Sequence, residues 1–351
     1  MGRSTGHAVR VAFRTDADAA LGLGHLRRCL ALAKAIEADG VESHLLLDGD
    51  ERALDLATTA GVAVTNASGG GDAAVEWCAR LGARALVVDS YAFTSDDYRA
   101  LAAARLPVIA FDDTGERELP VELVVNGSAG APRLAYRGAA HTRYLLGPRY
   151  LALRPEFAEP APRAIRERVG RALVTTGGAD PGRLTARLVG AASAGLGAAV
   201  ALDVVAGPLV DDIACIRAAV RAAPGRAELY ESPEHLRELM RAADLAITGG
   251  GQTVYELAAT GTPMVAVGVA LNQRLNLEAM REAGALEYAG DADDAGLEPL
   301  VTAALGALAG DARRRADMSQ RGRALVDGRG ASRLARAVMD LLAVPRPRDR
   351  A

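Results

Sequence analysis

The alternation of apolar runs and amphipathic stretches constrains the fold of this 351-residue chain more than any other feature. Short apolar runs that are typical of buried strands recur along the first half. Stretches with helical periodicity, such as His25–Asp39 and Asp50–Ala60, lie between several of them. This pattern favours a parallel, doubly wound sheet. The predicted strands are Val9–Phe13, Ser43–Leu47, Ala85–Asp89, Val108–Asp112, Leu123–Val125 and Tyr144–Leu146.

Residues 154–170 interrupt this pattern with three prolines and many charges, which is typical of a linker or a short exposed helix. The alternation restarts at Arg171 and ends with a helix over Ala331–Leu342. We therefore predict an α/β fold of two Rossmann-like domains with parallel sheets, over residues 9–155 and 168–343. The carboxyl ends of the strands are expected to face a cleft between the domains. The later strands are predicted at Ala199–Val205, Ala227–Tyr230, Leu245–Thr248, Pro263–Val267 and Leu286–Tyr288.

Composition argues against several classes of function. The net charge is −3, so no positive field favours a nucleic-acid partner. Three scattered cysteines without a CxxC pair suit a reducing compartment and exclude a zinc knuckle. The first ten residues lack the apolar centre of a signal peptide, and no uncharged apolar run is long enough to span a membrane. We expect a cytoplasmic protein that is a monomer or a weak dimer.

The segment GGGQTVYELAATGTPMVAVGVALNQ, residues 249–273, carries the strongest indication of a ligand. An apolar strand runs into three glycines, and a helix then begins. Glycines let a phosphate approach the backbone, and a helix N-terminus is an anion site. The alternative is that the glycines only allow close packing of helix on strand. The predicted contacts of a phosphorylated, hydroxyl-rich ligand are Gly250, Gly251, Gln252, Thr253, Glu256, Asn272 and Gln273.

A second segment, RTDADAALGLGHLRRCLALAKAI over residues 14–36, follows the first strand. His25 stands at the start of a predicted helix, where the positive end of the helix dipole disfavours an imidazolium. A neutral imidazole there can accept a proton. Arg14, Asp16 and Gly24 are predicted to contact the ligand beside it. The alternative is that His25 caps or packs the loop. A dinucleotide-binding motif is rejected because Arg27 stands where the third glycine is needed.

Three further loops follow predicted strands. Tyr91 comes after Ala85–Asp89 and either contacts a ligand or packs over the sheet edge. The glycine pair Gly177 and Gly178 either contacts the nucleotide or forms a tight turn before a helix. Asp112 and Asp113 are adjacent, but no third ligand stands at metal spacing, so we expect them to cap a turn and expect no metal.

These residues together resemble a known family, the nucleotide-sugar hydrolases of the pseudaminic acid pathway. The matching segments extend over most of the chain, and GHxxRC and LGPRYLALRPEF are the most specific of them. The resemblance implies a glycosyltransferase-B-like fold, no cofactor, and a UDP-sugar substrate, UDP-2,4-diacetamido-2,4,6-trideoxy-β-L-altropyranose. It implies attack by water at the anomeric carbon with inversion. His25 matches the catalytic histidine of that family, and Tyr91, Glu256 and Asn272 match its substrate-site residues.

The chain departs from the family where Gln252 replaces a serine of the glycine motif. Two other hypotheses therefore remain open. An inverting two-domain glycosyltransferase would use the same UDP-sugar donor, with His25 deprotonating an acceptor hydroxyl. A non-catalytic protein would only bind the nucleotide sugar.

Overall fold

The computed structural model describes residues 9–18, 22–159 and 163–343. It divides into two compact units. The first unit consists of the chain up to Pro155 together with the chain from Arg329 onward, and the second unit is Glu156–Gly328. Residues 1–8, which hold most of the segment expected to lack a signal peptide, and residues 160–162 of the predicted linker lie outside the described residues.

The first unit is built on seven parallel strands in the order β3-β2-β1-β4-β5-β7-β9, with helices between them. A separate two-stranded pair consists of β6, in the connection between β5 and β7, and β8, in the connection between β7 and β9. The central strands are buried along almost their whole length, so both faces of the sheet are covered. The strands are β1 (Arg10–Ala17), β2 (Glu42–Gly49), β3 (Ala63–Asn66), β4 (Ala85–Asp89), β5 (Val108–Phe111), β6 (Glu118–Leu119), β7 (Leu123–Asn126), β8 (Arg137–Gly138) and β9 (Arg143–Leu146). The helices are α1 (Gly24–Ala38), α2 (Glu51–Thr59), α3 (Gly71–Leu81) and α4 (Ser95–Ala103).

The second unit repeats the same architecture with six parallel strands in the order β12-β11-β10-β13-β14-β15. Its core lies between the sheet and helices such as α5 and α10. The strands are β10 (Arg171–Thr175), β11 (Ala201–Ala206), β12 (Ala227–Glu231), β13 (Leu245–Gly249), β14 (Met264–Gly268) and β15 (Glu287–Asp291). The helices are α5 (Leu184–Leu196), α6 (Ile213–Ala222), α7 (Leu236–Ala242), α8 (Thr253–Thr260), α9 (Arg274–Glu282), α10 (Leu297–Ala309) and α11 (Ala312–Leu325).

The last helix, α12 (Gly330–Ala343), belongs to the first unit. The sequence-based division placed it in the second domain, 168–343. Its apolar face is buried against α1. At its start a Cβ on Gly330 would lie 2.0 Å from the carbonyl oxygen of Leu151, so glycine permits this approach. The chain therefore returns to the first unit after completing the second.

Both sheets reverse their strand order at one point, between β1 and β4 in the first unit and between β10 and β13 in the second. From that point, successive crossover connections run toward opposite edges of the sheet. The loops at the carboxyl ends of the two central strands therefore leave a crevice, which is where open α/β sheets bind ligands. The prediction of two α/β domains with parallel sheets is confirmed, and the topology indicates where in each unit to look for a site.

Within the described residues, no helix is both long enough and apolar enough to cross a membrane.

Arg315 of α11 is completely buried and holds the end of α10 against the start of the second unit. Its Nη1 donates to the carbonyls of Leu308 and Ala309 at 2.6 and 2.7 Å. Its Nη2 donates to the carbonyls of Arg166 and Glu167 at 2.8 and 2.9 Å. Four backbone carbonyls thus depend on one guanidinium.

We expect Arg315→Met to lower the free energy of unfolding by about 3 kcal/mol, because the side chain still fills the space but the carbonyls lose their donor. The thermal unfolding midpoint measures this loss. Arg313→Met on the exposed side of the same helix is the matched control and should change stability by less than about 0.5 kcal/mol. An Arg315→Met variant that unfolds at the parent's midpoint would contradict this role.

Candidate functional site

The reversal point of the first sheet brings His25 and Asp89 together. His25 is the second residue of α1, which follows β1, and Asp89 is the last residue of β4. Both side chains are buried, with 8% and 1% of their surfaces exposed. Nδ1 of His25 lies 3.7 Å from Oδ1 of Asp89, and it has no hydrogen-bond partner among the residues that the structure describes. The carboxylate of Asp89 therefore faces Nδ1 of His25 but lies beyond hydrogen-bond distance from it.

Arg28, one turn after His25 on α1, joins two carboxylates. Its Nε and Nη2 donate to Asp89, the second at 2.7 Å. Its Nη1 and Nη2 donate to the two oxygens of Asp113, each at 2.9 Å. Burial by itself would raise the pKa of Asp113, but the charge and hydrogen bonds of Arg28 outweigh it and leave that pKa below its ordinary value. Burial likewise opposes the charge of Arg28, but the two aspartates raise its pKa well above the ordinary value.

Tyr91 packs edge-on against His25, with the ring centroids 4.5 Å apart and an interplanar angle of 77°. Its hydroxyl donates to Oδ2 of Asp113 at 3.0 Å. Burial, followed by the negative charge of Asp113, raises the pKa of Tyr91, so the phenol stays protonated. About 40% of the residue is exposed. Tyr91 is therefore both a neighbour of His25 and accessible to a ligand.

Arg14 and Asp16, predicted as ligand contacts, belong to an ion-pair network of the first unit. The Nη1 of Arg14 donates to Asp16 and to the carbonyl of Thr15, and its Nη2 donates to Asp48 at 3.2 Å. Both predicted residues are buried. Of the predicted segment 14–36, residues 19–21 lie outside the described residues. Gly24 begins α1, and a Cβ added there would meet nothing within 4 Å.

The adjacent aspartates have different partners. Asp113 pairs with Arg28, as described above. Asp112 accepts from the backbone N–H groups of Thr114 and Gly115 and from Arg117, as expected for a residue that caps a turn. Over residues 9–18, 22–159 and 163–343, no cluster of three or more His, Cys, Asp or Glu side chains has an arrangement that could hold a metal ion.

In the second unit, three loops approach one another at the reversal point of the sheet. A Cβ on Gly249 would lie 3.0 Å from the carbonyl oxygen of Thr176. One on Gly177, whose φ is +102°, would lie 3.4 Å from Oγ1 of Thr253. One on Gly207, which follows β11, would lie 2.2 and 2.5 Å from the carbonyl oxygens of Gly177 and Gly178. The loops after β10, β11 and β13 therefore meet through their backbones. The sequence analysis did not single out Gly207.

The loop after β13 leads directly into α8. Gln252 is the N-cap residue and Thr253 the first residue of that helix. A Cβ on Gly250 would lie 2.6 Å from Cδ1 of Leu277, whereas the nearest atom to one on Gly251 is 4.0 Å away. Gly250 thus leaves room for the side chain of Leu277, and Gly251 presents an open backbone. Open backbone at a helix N-terminus is an arrangement that binds anions.

Glu256 and Thr253 are buried in the first turn of α8. On the other side of the glycines, Asn272 and Gln273 lie in a short 3₁₀ turn, Leu271–Gln273. Oε1 of Gln273 accepts from the backbone N–H of Val269 at 2.9 Å, so this amide helps to fix the loop. Asn272 is exposed, and so is Leu271, with 80% of its surface accessible.

The predicted site residues therefore form two groups, one in each unit. His25 and Tyr91 are in contact in the first unit. The glycines of residues 177–178 and 249–251, with Thr253 and Gln273, lie on neighbouring loops in the second unit. Asp180, near Gly178, accepts from the backbone N–H of Thr185 and caps the turn before α5, as the alternative interpretation of that segment expected.

A cavity of about 650 Å³ lies at the amino ends of the strands of the first sheet, opposite to the carboxyl ends where His25 and Asp89 meet. It is lined by residues at the amino ends of β1 and β2, including Arg10, Glu42 and His44. None of the predicted site residues lines it. The topology and the side-chain chemistry therefore identify the candidate site, and cavity volume does not.

No family model matches the chain. The uncharacterized protein MJ1062 of Methanocaldococcus jannaschii is 24% identical over 268 residues, which cover 73% of this chain and 55% of that protein. The spore coat polysaccharide biosynthesis protein SpsG of Bacillus subtilis is 26% identical over 248 residues, which cover 67% of this chain and 69% of SpsG. The chain thus spans only about half the length of the archaeal relative.

Solved structures match nearly the whole chain. MurG of Acinetobacter baumannii superposes with a TM-score of 0.67 at 16% identity, covering 95% of this chain and 99% of MurG. The glycosyltransferase SnogD of Streptomyces nogalater gives 0.63 at 17% identity, over 96% and 100%. Alr3699/HepE of Anabaena, in complex with UDP-glucose, gives 0.61 at 12% identity, over 95% and 99%. At these identities the likeness establishes the fold, and the predicted glycosyltransferase-B-like fold is confirmed.

Proposed function

We propose that this chain is an enzyme that uses a nucleotide sugar, most simply a UDP-sugar, and breaks the bond between the anomeric carbon and the diphosphate. The observation that carries the proposal is the meeting of three glycine-containing loops at the reversal point of the second sheet, beside the N-terminus of α8. Backbone of this kind suits a diphosphate. SpsG is named for polysaccharide biosynthesis and HepE was solved with UDP-glucose, and both names favour the same class of substrate.

In this proposal the second unit binds the donor. The diphosphate gains negative charge as it departs, and the open backbone at Gly251 with the positive end of α8 would stabilise that charge. Glu256 would accept a hydrogen bond from a sugar hydroxyl. Asn272 has both a donor and an acceptor to orient the sugar.

The first unit supplies the base. A hydroxyl oxygen attacks the anomeric carbon, the carbon–oxygen bond to the diphosphate breaks, and its electron pair leaves with the nucleotide. The proton of the attacking hydroxyl passes to the imidazole of His25. Asp89, 3.7 Å from Nδ1, then lies where it stabilises the imidazolium that forms. Tyr91 is accessible beside the imidazole for contact with the ligand.

We favour the hypothesis that the enzyme is an inverting glycosyltransferase. The attacking hydroxyl then belongs to an acceptor molecule. The structural neighbours, the glycosyltransferase SnogD among them, share the fold of this chain over nearly their whole length. The second candidate is hydrolysis, in which water is the acceptor. The GHLRRC and LGPRYLALRPEF segments favour it, because they resemble hydrolases of UDP-2,4-diacetamido-2,4,6-trideoxy-β-L-altropyranose.

Release of the nucleotide (UDP, GDP or CMP) from a panel of UDP-, GDP- and CMP-linked sugars, with and without added acceptor sugars, tests the proposal. We expect turnover with UDP-sugars. Turnover that requires an acceptor assigns a transferase, whereas equal turnover in water alone assigns a hydrolase. In ¹⁸O-water a hydrolase must place the label in the free sugar, and label in the nucleotide would exclude attack at the anomeric carbon. Absence of both turnover and nucleotide binding across the panel would refute the proposed function.

A further inference from the structure

We propose that Arg28 is the positioning residue of the first unit: its guanidinium holds Asp89 against Nδ1 of His25 and holds Asp113 against the hydroxyl of Tyr91. We call Arg28, Asp89 and Asp113 the Arg28 network. The inference deepens the proposed function, on which it rests for the role of His25 as a base. The geometry itself is independent of any substrate.

The Arg28 network brings together residues that are far apart in the sequence. Arg28 lies on α1, Asp89 ends β4, and Asp113 follows β5. Asp89 is 61 residues and Asp113 is 85 residues from Arg28 along the chain. The side chain of Arg28 therefore joins helix α1 to the carboxyl ends of two neighbouring strands, beside His25.

The contacts use the shape of the guanidinium as well as its charge. Both carboxylates receive two hydrogen bonds, so each is fixed in orientation as well as in position. The face of the guanidinium also lies 4.9 Å from the ring centroid of Phe111. Because Asp89 is 1% exposed, water cannot easily replace Arg28 as its partner. A lysine ammonium carries the same charge but cannot make two paired contacts of this kind.

The consequence for His25 is the choice of its tautomer. A carboxylate fixed 3.7 Å from Nδ1 favours the proton on that nitrogen. Nε2 then keeps its lone pair and is the nitrogen able to accept a proton. The consequence for Tyr91 is a fixed ring, since its hydroxyl is held at 3.0 Å by Asp113 while its edge packs against the imidazole.

The test measures the tautomer directly by NMR of the full chain labelled with ¹⁵N at its five histidines. The signals of His25 are identified by their loss in His25→Asn. We expect the Nδ1–H tautomer in the parent protein and a mixture of tautomers in Arg28→Lys. Asp113→Asn is a milder second variant, which removes one charge from the network with almost no change in shape, and we expect it to shift the tautomer of His25 toward a mixture by a smaller amount than Arg28→Lys; an unchanged tautomer in this variant also counts against the proposal. Arg80→Lys, an exposed arginine paired with Glu76 on α3, is the matched control and should leave the spectrum unchanged.

Once a substrate has been found, we expect Arg28→Lys to lower kcat by about 10²-fold with little change in KM, because the reacting groups are misplaced while the donor site in the second unit is untouched. An Nε2–H tautomer in the parent, or an unchanged tautomer in Arg28→Lys, would overturn the proposal. If Arg28→Lys fails to fold, the parent spectrum and that of Asp113→Asn still decide. The NMR result requires no substrate, so failure of the proposed function and failure of this inference are distinguishable.

Discussion

Replacement of His25 by asparagine is expected to lower kcat by about 10²–10⁴-fold, because the proposed proton acceptor is removed. The loss should fall on kcat, since the glycine loops assigned to the donor lie in the second unit. Steady-state kinetics with the substrate found by the panel measures this effect. Binding of UDP, followed by isothermal titration, should match that of the parent within about twofold, or about 0.4 kcal/mol.

The fold should tolerate this change. His25 loses an edge-on contact with Tyr91, which is worth about 1 kcal/mol. His44→Asn provides a matched control on the same sheet. Nε2 of His44, on β2, lies 2.8 Å from Oγ1 of Thr65 on β3. Loss of this imidazole should leave kcat unchanged. If His25→Asn turned over at the parent rate, His25 would have no part in the chemistry of either candidate reaction.

The central strands could be predicted from the sequence because a buried parallel strand is a continuous apolar run. The run Ala85–Asp89 coincides with β4, and both sheets follow from such runs. Strand β3 (Ala63–Asn66) was missed, since it lies at the edge of the sheet, is only partly buried and contains polar residues. The periodicity of α12 was predicted correctly, but periodicity does not show which unit a helix packs against.

The candidate site was only partly predictable for a similar reason. His25 and Tyr91 follow strands that prove to be neighbours, so they meet. The Arg28 network requires the strand order, which places β5 beside β4, and no local pattern contains that information. The pairing of Arg14 with Asp48 depends on strand pairing, since β1 and β2 align Asp16 with Asp48. Arg14 and Asp16 were therefore predicted as ligand contacts when they are also structural partners.

The role of Gly207 in the second unit also depends on contacts that the sequence does not show. In the sequence it is an ordinary glycine after a strand. In the structure a Cβ at this position would overlap the carbonyl oxygens of Gly177 and Gly178, which are backbone atoms and cannot rotate away. We expect Gly207→Ala to displace the loop over residues 177–178, weaken UDP binding at least about tenfold and lower the free energy of unfolding by about 1–3 kcal/mol.

The matched control is Gly190→Ala in the middle of α5, where a Cβ would meet nothing within 4 Å. Alanine is the better helix former, so this variant should be more stable by about 0.5–1 kcal/mol and should bind UDP like the parent. Titration calorimetry and thermal unfolding of the two variants separate loss of the site from loss of the fold. If Gly207→Ala bound UDP with the parent's affinity, the loop over residues 177–178 could not be part of the diphosphate site. The proposed donor site would then have to be confined to residues 249–256 and 272–273.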